Sequence, residues 1–185
     1  WQVYLHKTVV AGEQLLVKVL ERAKMLSASG KVLFATPALQ HFLQNDVSEV
    51  NFFTDDSNLE QFSKLDDQDI YAAIKVWTDS EDAILARLCK MLTTRNLYKV
   101  EITNEAPDVN RVAELKNKVS VKLGVKEKDL SYFVFTDTII NRAYNAGNSN
   151  INILMKNGNL LDITKASDLS NLESLDKTVK KHILC

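Results

Sequence analysis

The stretch Asn96–Thr103, NLYKVEIT, marks the point where the pattern of this 185-residue chain changes. Tyr98, Val100 and Ile102 alternate with Lys99, Glu101 and Thr103, which is the period-two signature of a half-buried strand. Upstream of it, apolar residues recur at spacings of three and four, the signature of helices packed on one face. The chain therefore reads as mainly α with a C-terminal α+β subdomain, a helical array followed by a small, mostly antiparallel sheet. The division expected is a helical part over 1–96 and an α+β lobe over 97–185.

The helical array begins with WQVYLHKTVVAGEQLLVKVLERAKML. Its pattern predicts one helix from Val3 to Ala28, with Leu5, Val9, Leu16, Val19, Leu20, Ala23 and Leu26 as a buried stripe. Gly12 costs such a helix about 1 kcal/mol relative to alanine, so close approach of another element is expected there. The helix starts without a Ser, Thr, Asp or Asn cap and the chain opens on Trp1, so the start is expected to be a cut. A shorter helix follows from TPALQHFL, with Pro37 in its first turn, and another from TDDSNLEQFSKL behind Asp and Ser capping candidates. Asp66 is placed to cap a helix burying Ile70, Ala73, Ile74 and Trp77, and Asp79 and Ser80 to cap the next one.

Beyond the switch, an amphipathic helix is expected from Asp108 to Leu123, stopped by Gly124. LSYFVFTDTI, NINILMK, NLLDIT and VKKHILC read as strands. NGN, joining the second to the third, is a hairpin signal.

With 23 Lys and Arg against 24 Asp and Glu, the net charge of -1 gives no bulk attraction for nucleic acid or a membrane, so any anion site is local. Cys89 and Cys185 stand far apart and form no C-x-x-C pair. That argues against a disulfide framework or zinc ribbon and suits a cytoplasmic location. No apolar run approaches the roughly 20 residues of a spanning helix. G-x-S-x-G, P-loop and G-x-G-x-x-G motifs are absent. Asp66–Asp69, DDQD, offers oxygen ligands for a divalent cation, yet helix capping accounts for it more simply. His6, His41 and His182 have no metal-site spacing. If phosphate binds, side chains must hold it. In YLHK, a helical advance of about 100° per residue sets Tyr4 and Leu5 against His6 and Lys7, so one turn can serve two pockets.

VYLHKTVVAGEQLLVKVLERA, then LDDQDIYAAIKVW, LTTRNLYKV and INILMKNGNLLDITKASDLSNL resemble, in order and spacing, the HD-domain phosphohydrolase superfamily. The branch is that of the SAM-and-HD-domain deoxynucleoside triphosphate triphosphohydrolases and their bacterial relatives. The resemblance runs over most of the chain, and the helices within 37–61 depart from it. It implies a metal-dependent nucleotide phosphohydrolase whose His…His-Asp…Asp metal set lies upstream. The three histidines here precede Lys, Phe and Ile, so no catalytic residue or metal ligand is expected in this chain, and the divalent metal ion belongs to the intact parent. By the resemblance, Tyr4 lines the substrate pocket, and His6, Lys7, Arg95, Lys99 and Lys156 face an effector nucleotide at a subunit boundary. Leu5 stands where regulated members carry a substrate-contacting Gln. Homo-oligomer contacts are implied too, with exposed apolar surface around Leu5, Val9 and Leu16. The alternative is a non-catalytic structural and oligomerisation module of a phosphohydrolase with a different phosphate-ester substrate.

Overall fold

The computed structural model describes residues 6–141, 151–162 and 179–185. They fall into two compact units. The first comprises the described residues of 1–100 with 116–134 and Cys185, and the second those of 101–115 and 135–184. The fold is mainly helical with a small antiparallel sheet in the C-terminal region, as the sequence pattern indicates.

The first unit is built on α1 (Lys7–Ala28), which packs against α2 (Pro37–Gln44) and α6 (Ala83–Thr93). The helix expected from Val3 starts at Lys7. His6 is the cap, in extended conformation, with Nδ1 accepting the Thr8 N–H at 3.3 Å. The buried stripe also differs from expectation. It runs through Val10, Ala11, Leu15, Val19, Arg22, Ala23 and Leu26, while Val9 is exposed and Leu16 and Leu20 sit at the core's edge. Two flanking helices rotate the buried face by about one residue, and Arg22 enters it because its charge is matched there. Gly12 meets no close neighbour: a Cβ there would find nothing within 4 Å. It opens a cleft of about 280 Å3 lined by Leu16, Ile70, Tyr71 and Leu92.

The next five helices each start on a side-chain cap, because the first N–H groups of a helix have no partner within it. Thr36 caps α2, Ser48 caps α3 (Glu49–Thr54) and Asp55 caps α4 (Asp56–Lys64). For α5 (Asp67–Trp77), Asp66 and Asp69 form a reciprocal capping box. The DDQD cluster is thus used at the helix start. Ala73, Ile74 and Trp77 are buried as expected, and the Trp77 indole donates to the Phe34 carbonyl at 2.9 Å. For α6 the cap is Asp82, not Asp79 or Ser80. Asp82 Oδ1 accepts the Leu85 N–H at 2.8 Å, while Ser80 Oγ accepts the Asp82 N–H at 3.2 Å and so supports the cap from behind.

Helix α7 (Val109–Leu123) ends at Gly124, whose φ is +63°. LSYFV is not a strand: Glu127–Tyr132 forms a 3₁₀ turn. Leu130, Phe133 and Val134 are all buried, and the N–H groups of Phe133 and Val134 both return to the Leu130 carbonyl, a local closure incompatible with a ladder. The second unit holds β1 (Glu101–Thr103), β2 (Thr136–Asn141) and β5 (Val179–Leu184) in the antiparallel order β1-β5-β2, with Ile102 opposite Ile183 and Thr138 opposite His182. A separate hairpin pairs β3 (Asn152–Leu154) with β4 (Leu160–Asp162), turning through Lys156–Asn159 with Gly158 at φ +82°. The NGN signal marks this turn. Among the described residues, no helix is long and apolar enough to cross a membrane.

Candidate functional site

Arg22 decides how the first unit's helices are set. Its Nη2 and Nε donate to Asp82 at 2.7 and 3.0 Å, its Nη1 to Asp129 at 2.9 Å, and its guanidinium lies 5.2 Å from the centre of the Tyr132 ring. Burial works against the Asp82 carboxylate, yet the Arg22 guanidinium and the Leu85 N–H outweigh it and hold its pKa below the usual range. The Arg22 pKa is raised, led by its bond to Asp82. One fork thereby ties the late part of α1 to the start of α6 and to the 3₁₀ turn.

At the other end of the pair, Gly12 and Leu16 share a cleft with Leu92. The two helices are therefore antiparallel, and the last turn of α6 lies toward the first turns of α1. His6, Lys7 and Arg95 come to the same end of the unit, all three exposed. Among the described residues no ion pair engages Lys7, Arg95, Lys99 or Lys156. Lys99 follows in the irregular segment after α6, and Lys156 belongs to the hairpin turn of the second unit. Tyr4 and Leu5 lie outside the described residues. Since α1 begins at Lys7, the helical advance that set these two against His6 and Lys7 does not run through His6.

Arg95 carries a strain the sequence did not announce. α6 ends with the Arg95 N–H on the Leu92 carbonyl at 3.2 Å and the Asn96 N–H on the Met91 carbonyl at 2.9 Å, with Arg95 at φ +58°. This is a Schellman stop with arginine in the left-handed position. α1 ends the same way, Lys31 N–H to Leu26 and Gly30 N–H to Ser27, but uses Gly30 at φ +85°. Where α1 spends a glycine, α6 holds a guanidinium at the mouth of the turn.

The histidines have local partners. His6 caps α1, His41 Nε2 meets Asn58 Oδ1 at 2.7 Å between α2 and α4, and His182 Nδ1 meets Thr138 Oγ1 at 3.2 Å across the sheet. No three His, Cys, Asp or Glu side chains among the described residues gather to hold a metal ion, so these residues do not fit the divalent ion of the resemblance. Both cysteines are buried thiols outside any disulfide, and burial pushes the Cys89 thiol up to about 12.

Sequence reasoning missed a second feature of the unit, an open cleft of about 810 Å3 between α6 and the end of α7. Arg87, Lys90 and Met91 line it from α6 and Thr94 from the cap that follows, with Lys122 and Leu123 from α7. The i, i+3, i+4, i+7 spacing of Arg87, Lys90, Met91 and Thr94 in RLCKMLTT was its sequence signal, on the face opposite Leu85, Leu88 and Cys89.

No family model matches the chain. The uncharacterized protein YwfO of Bacillus subtilis is 29% identical over 174 residues, covering 90% of this chain and 37% of its own length. A crystal structure of a phosphohydrolase from Bacteroides thetaiotaomicron matches with a TM-score of 0.81 and 42% identity, over 100% of this chain and 46% of that one. The chain is thus similar in sequence and fold to a solved phosphohydrolase. It spans less than half the length of both proteins.

Proposed function

We propose that this chain is part of a metal-dependent HD-type phosphohydrolase acting on nucleotides, with deoxynucleoside triphosphates the expected substrates. The observation that carries the reading is the 42% identity to a solved phosphohydrolase along the whole chain. The order and spacing of the HD-type segments support the finer class. Tyr4 lines the substrate pocket. His6, Lys7, Arg95, Lys99 and Lys156 supply positive charge and N–H donors to an effector nucleotide, and copies of the chain assemble around that site in the cytoplasm.

The common end of the antiparallel α1 and α6 supports grouping His6 and Lys7 with Arg95. Multidentate, charge-assisted hydrogen bonding is what a polyphosphate needs. The described residues bind and orient. Ligands elsewhere in the parent would hold the divalent ion, which would supply Lewis acidity and water activation there.

The residue-level test uses the intact protein. Lys7→Ala, Arg95→Ala and Lys99→Ala should each weaken nucleotide-dependent activation or assembly by about ten- to a hundredfold in effector concentration, as expected for a lost charge-assisted phosphate contact. Tyr4→Phe should instead alter turnover. If the cation variants respond to nucleotide like the wild type, those residues are solvated surface charges and the structural-module reading replaces this one.

A further inference from the structure

We propose that the cleft between α6 and the end of α7 is a binding site for a small organic phosphate with a flat apolar body, separate from the group of His6, Lys7 and Arg95. α6 is two-faced. Leu85, Leu88 and Cys89 are buried, whereas Arg87, Lys90, Met91 and Thr94 form a continuous stripe on the cleft. Ala83 and Ala86 continue this stripe toward the helix start, and small side chains there leave the space open. The volume of about 810 Å3 lies within the range of small-molecule sites.

The charge of the lining points to an anion. Arg87, Lys90 and Lys122 converge on the cleft, and among the described residues no carboxylate side chain lines it. Elsewhere in the chain, cations commonly stand beside acids: Lys18 with Glu21, Lys64 with Glu60, and Arg111 with Glu101 and Glu114. Among the described residues Lys90 and Lys122 form no ion pair. Both are near helix ends, where positive charge offsets the dipole, and this accounts for their sign but not for their meeting without an acid. The Leu123 carbonyl accepts from Arg87 Nη1 at 3.1 Å, which fixes that guanidinium at the cleft and leaves its other N–H groups for a ligand.

The floor calls for an apolar body. Val119, Leu97, Tyr98 and Phe133 form it, and the Tyr98 hydroxyl is turned away to the Tyr132 carbonyl at 2.5 Å. Asn96 and Thr94 supply hydrogen-bonding edges at the rim. The RNLYK turn therefore has two sides: Asn96, Leu97 and Tyr98 line this cleft, whereas Arg95 and Lys99 do not.

Met91 lines the cleft and Met25 and Met155 do not, so methionine-methyl NMR reads occupancy directly, with the Met91 resonance assigned by Met91→Leu. Adenosine monophosphate, as the probe, should shift the Met91 methyl saturably with a midpoint below about 1 mM and leave the other two unmoved. Adenosine and inorganic phosphate, each half of the chemistry, should bind at least about tenfold more weakly. Lys90→Ala with Lys122→Ala should weaken the monophosphate at least about tenfold. Lys7→Ala with Arg95→Ala should change nothing here, so this site and the effector reading fail independently. No saturable Met91 shift, or one indifferent to the Lys90 and Lys122 substitutions, overturns the proposal. Adenosine binding as well as its phosphate overturns the anion requirement, and phosphate binding equally well overturns the apolar one.

Discussion

Replacing Arg95 by glycine should make the protein more stable and less responsive to nucleotide. Arg95 is the single non-glycine residue at positive φ among the described residues, at +58° in a hydrogen-bonded helix stop that α1 builds with Gly30. A side chain in the left-handed region costs about 1–2 kcal/mol. Glycine removes that strain but gains freedom in the unfolded chain, which costs about 0.5–1 kcal/mol. The net gain should be about 0.5–1 kcal/mol, because Arg95 is exposed and no ion pair among the described residues is lost. For a chain of this size that is a rise of about 1–4 °C in Tm. Arg95→Ala, which keeps the strain, should melt within about 1 °C of wild type by the same conversion. Gly30→Ala, the reverse change at φ +85°, should lose about 0.5–1 kcal/mol by the same balance. Urea and thermal unfolding followed by circular dichroism measure all three. An Arg95→Gly protein no more stable than wild type would mean that the guanidinium contributes to the fold, refuting its assignment as a strained residue kept for a ligand.

Three further outcomes follow from the packing. Arg22→Ala leaves Asp82 and Asp129 buried without their partner and should destabilise by about 3–5 kcal/mol in urea unfolding, far more than Lys64→Ala, whose pair with Glu60 is exposed and screened by solvent. The Asp82 pKa is lower folded than unfolded, so its carboxylate favours the fold above the unfolded value of about 4. That contribution fades as pH falls through the folded value, and Asp82→Asn should flatten the acid limb of a stability-versus-pH profile. Gly12→Ala meets nothing within 4 Å and should stabilise α1 by about 0.5–1 kcal/mol, whereas a loss of stability would mean that the cleft beside Gly12 is filled by another element.

Helix existence was legible wherever caps and periodicity agreed. Asp66 and the inward Ala73, Ile74 and Trp77 of α5 were readable because one capping box and one partner face define that helix. The phase of α1 was not, because α1 is packed by two helices and takes a charged residue into its buried face. Nothing local to Arg22 reveals acids 60 and 107 residues away. The same long-range pairing selects Asp82 over Asp79 and Ser80 as the α6 cap. LSYFV carried strand composition, but burying Leu130, Phe133 and Val134 together requires a turn. Of the site, the common end of His6, Lys7 and Arg95 follows from antiparallel packing that no single motif encodes. The left-handed Arg95 was invisible because the residue preferred there is glycine.

The central claim is that this chain belongs to a phosphohydrolase that acts on nucleotides, and the direct measurement is product release by the intact protein supplied with manganese or magnesium. Deoxynucleoside triphosphates and non-nucleotide phosphate esters should be offered in parallel, with phosphate, pyrophosphate and triphosphate resolved by ion chromatography. The account predicts metal-dependent turnover of the nucleotides with triphosphate as product, abolished by chelation. Turnover confined to non-nucleotide esters, or no turnover of any nucleotide by folded, metal-supplied protein, would contradict it.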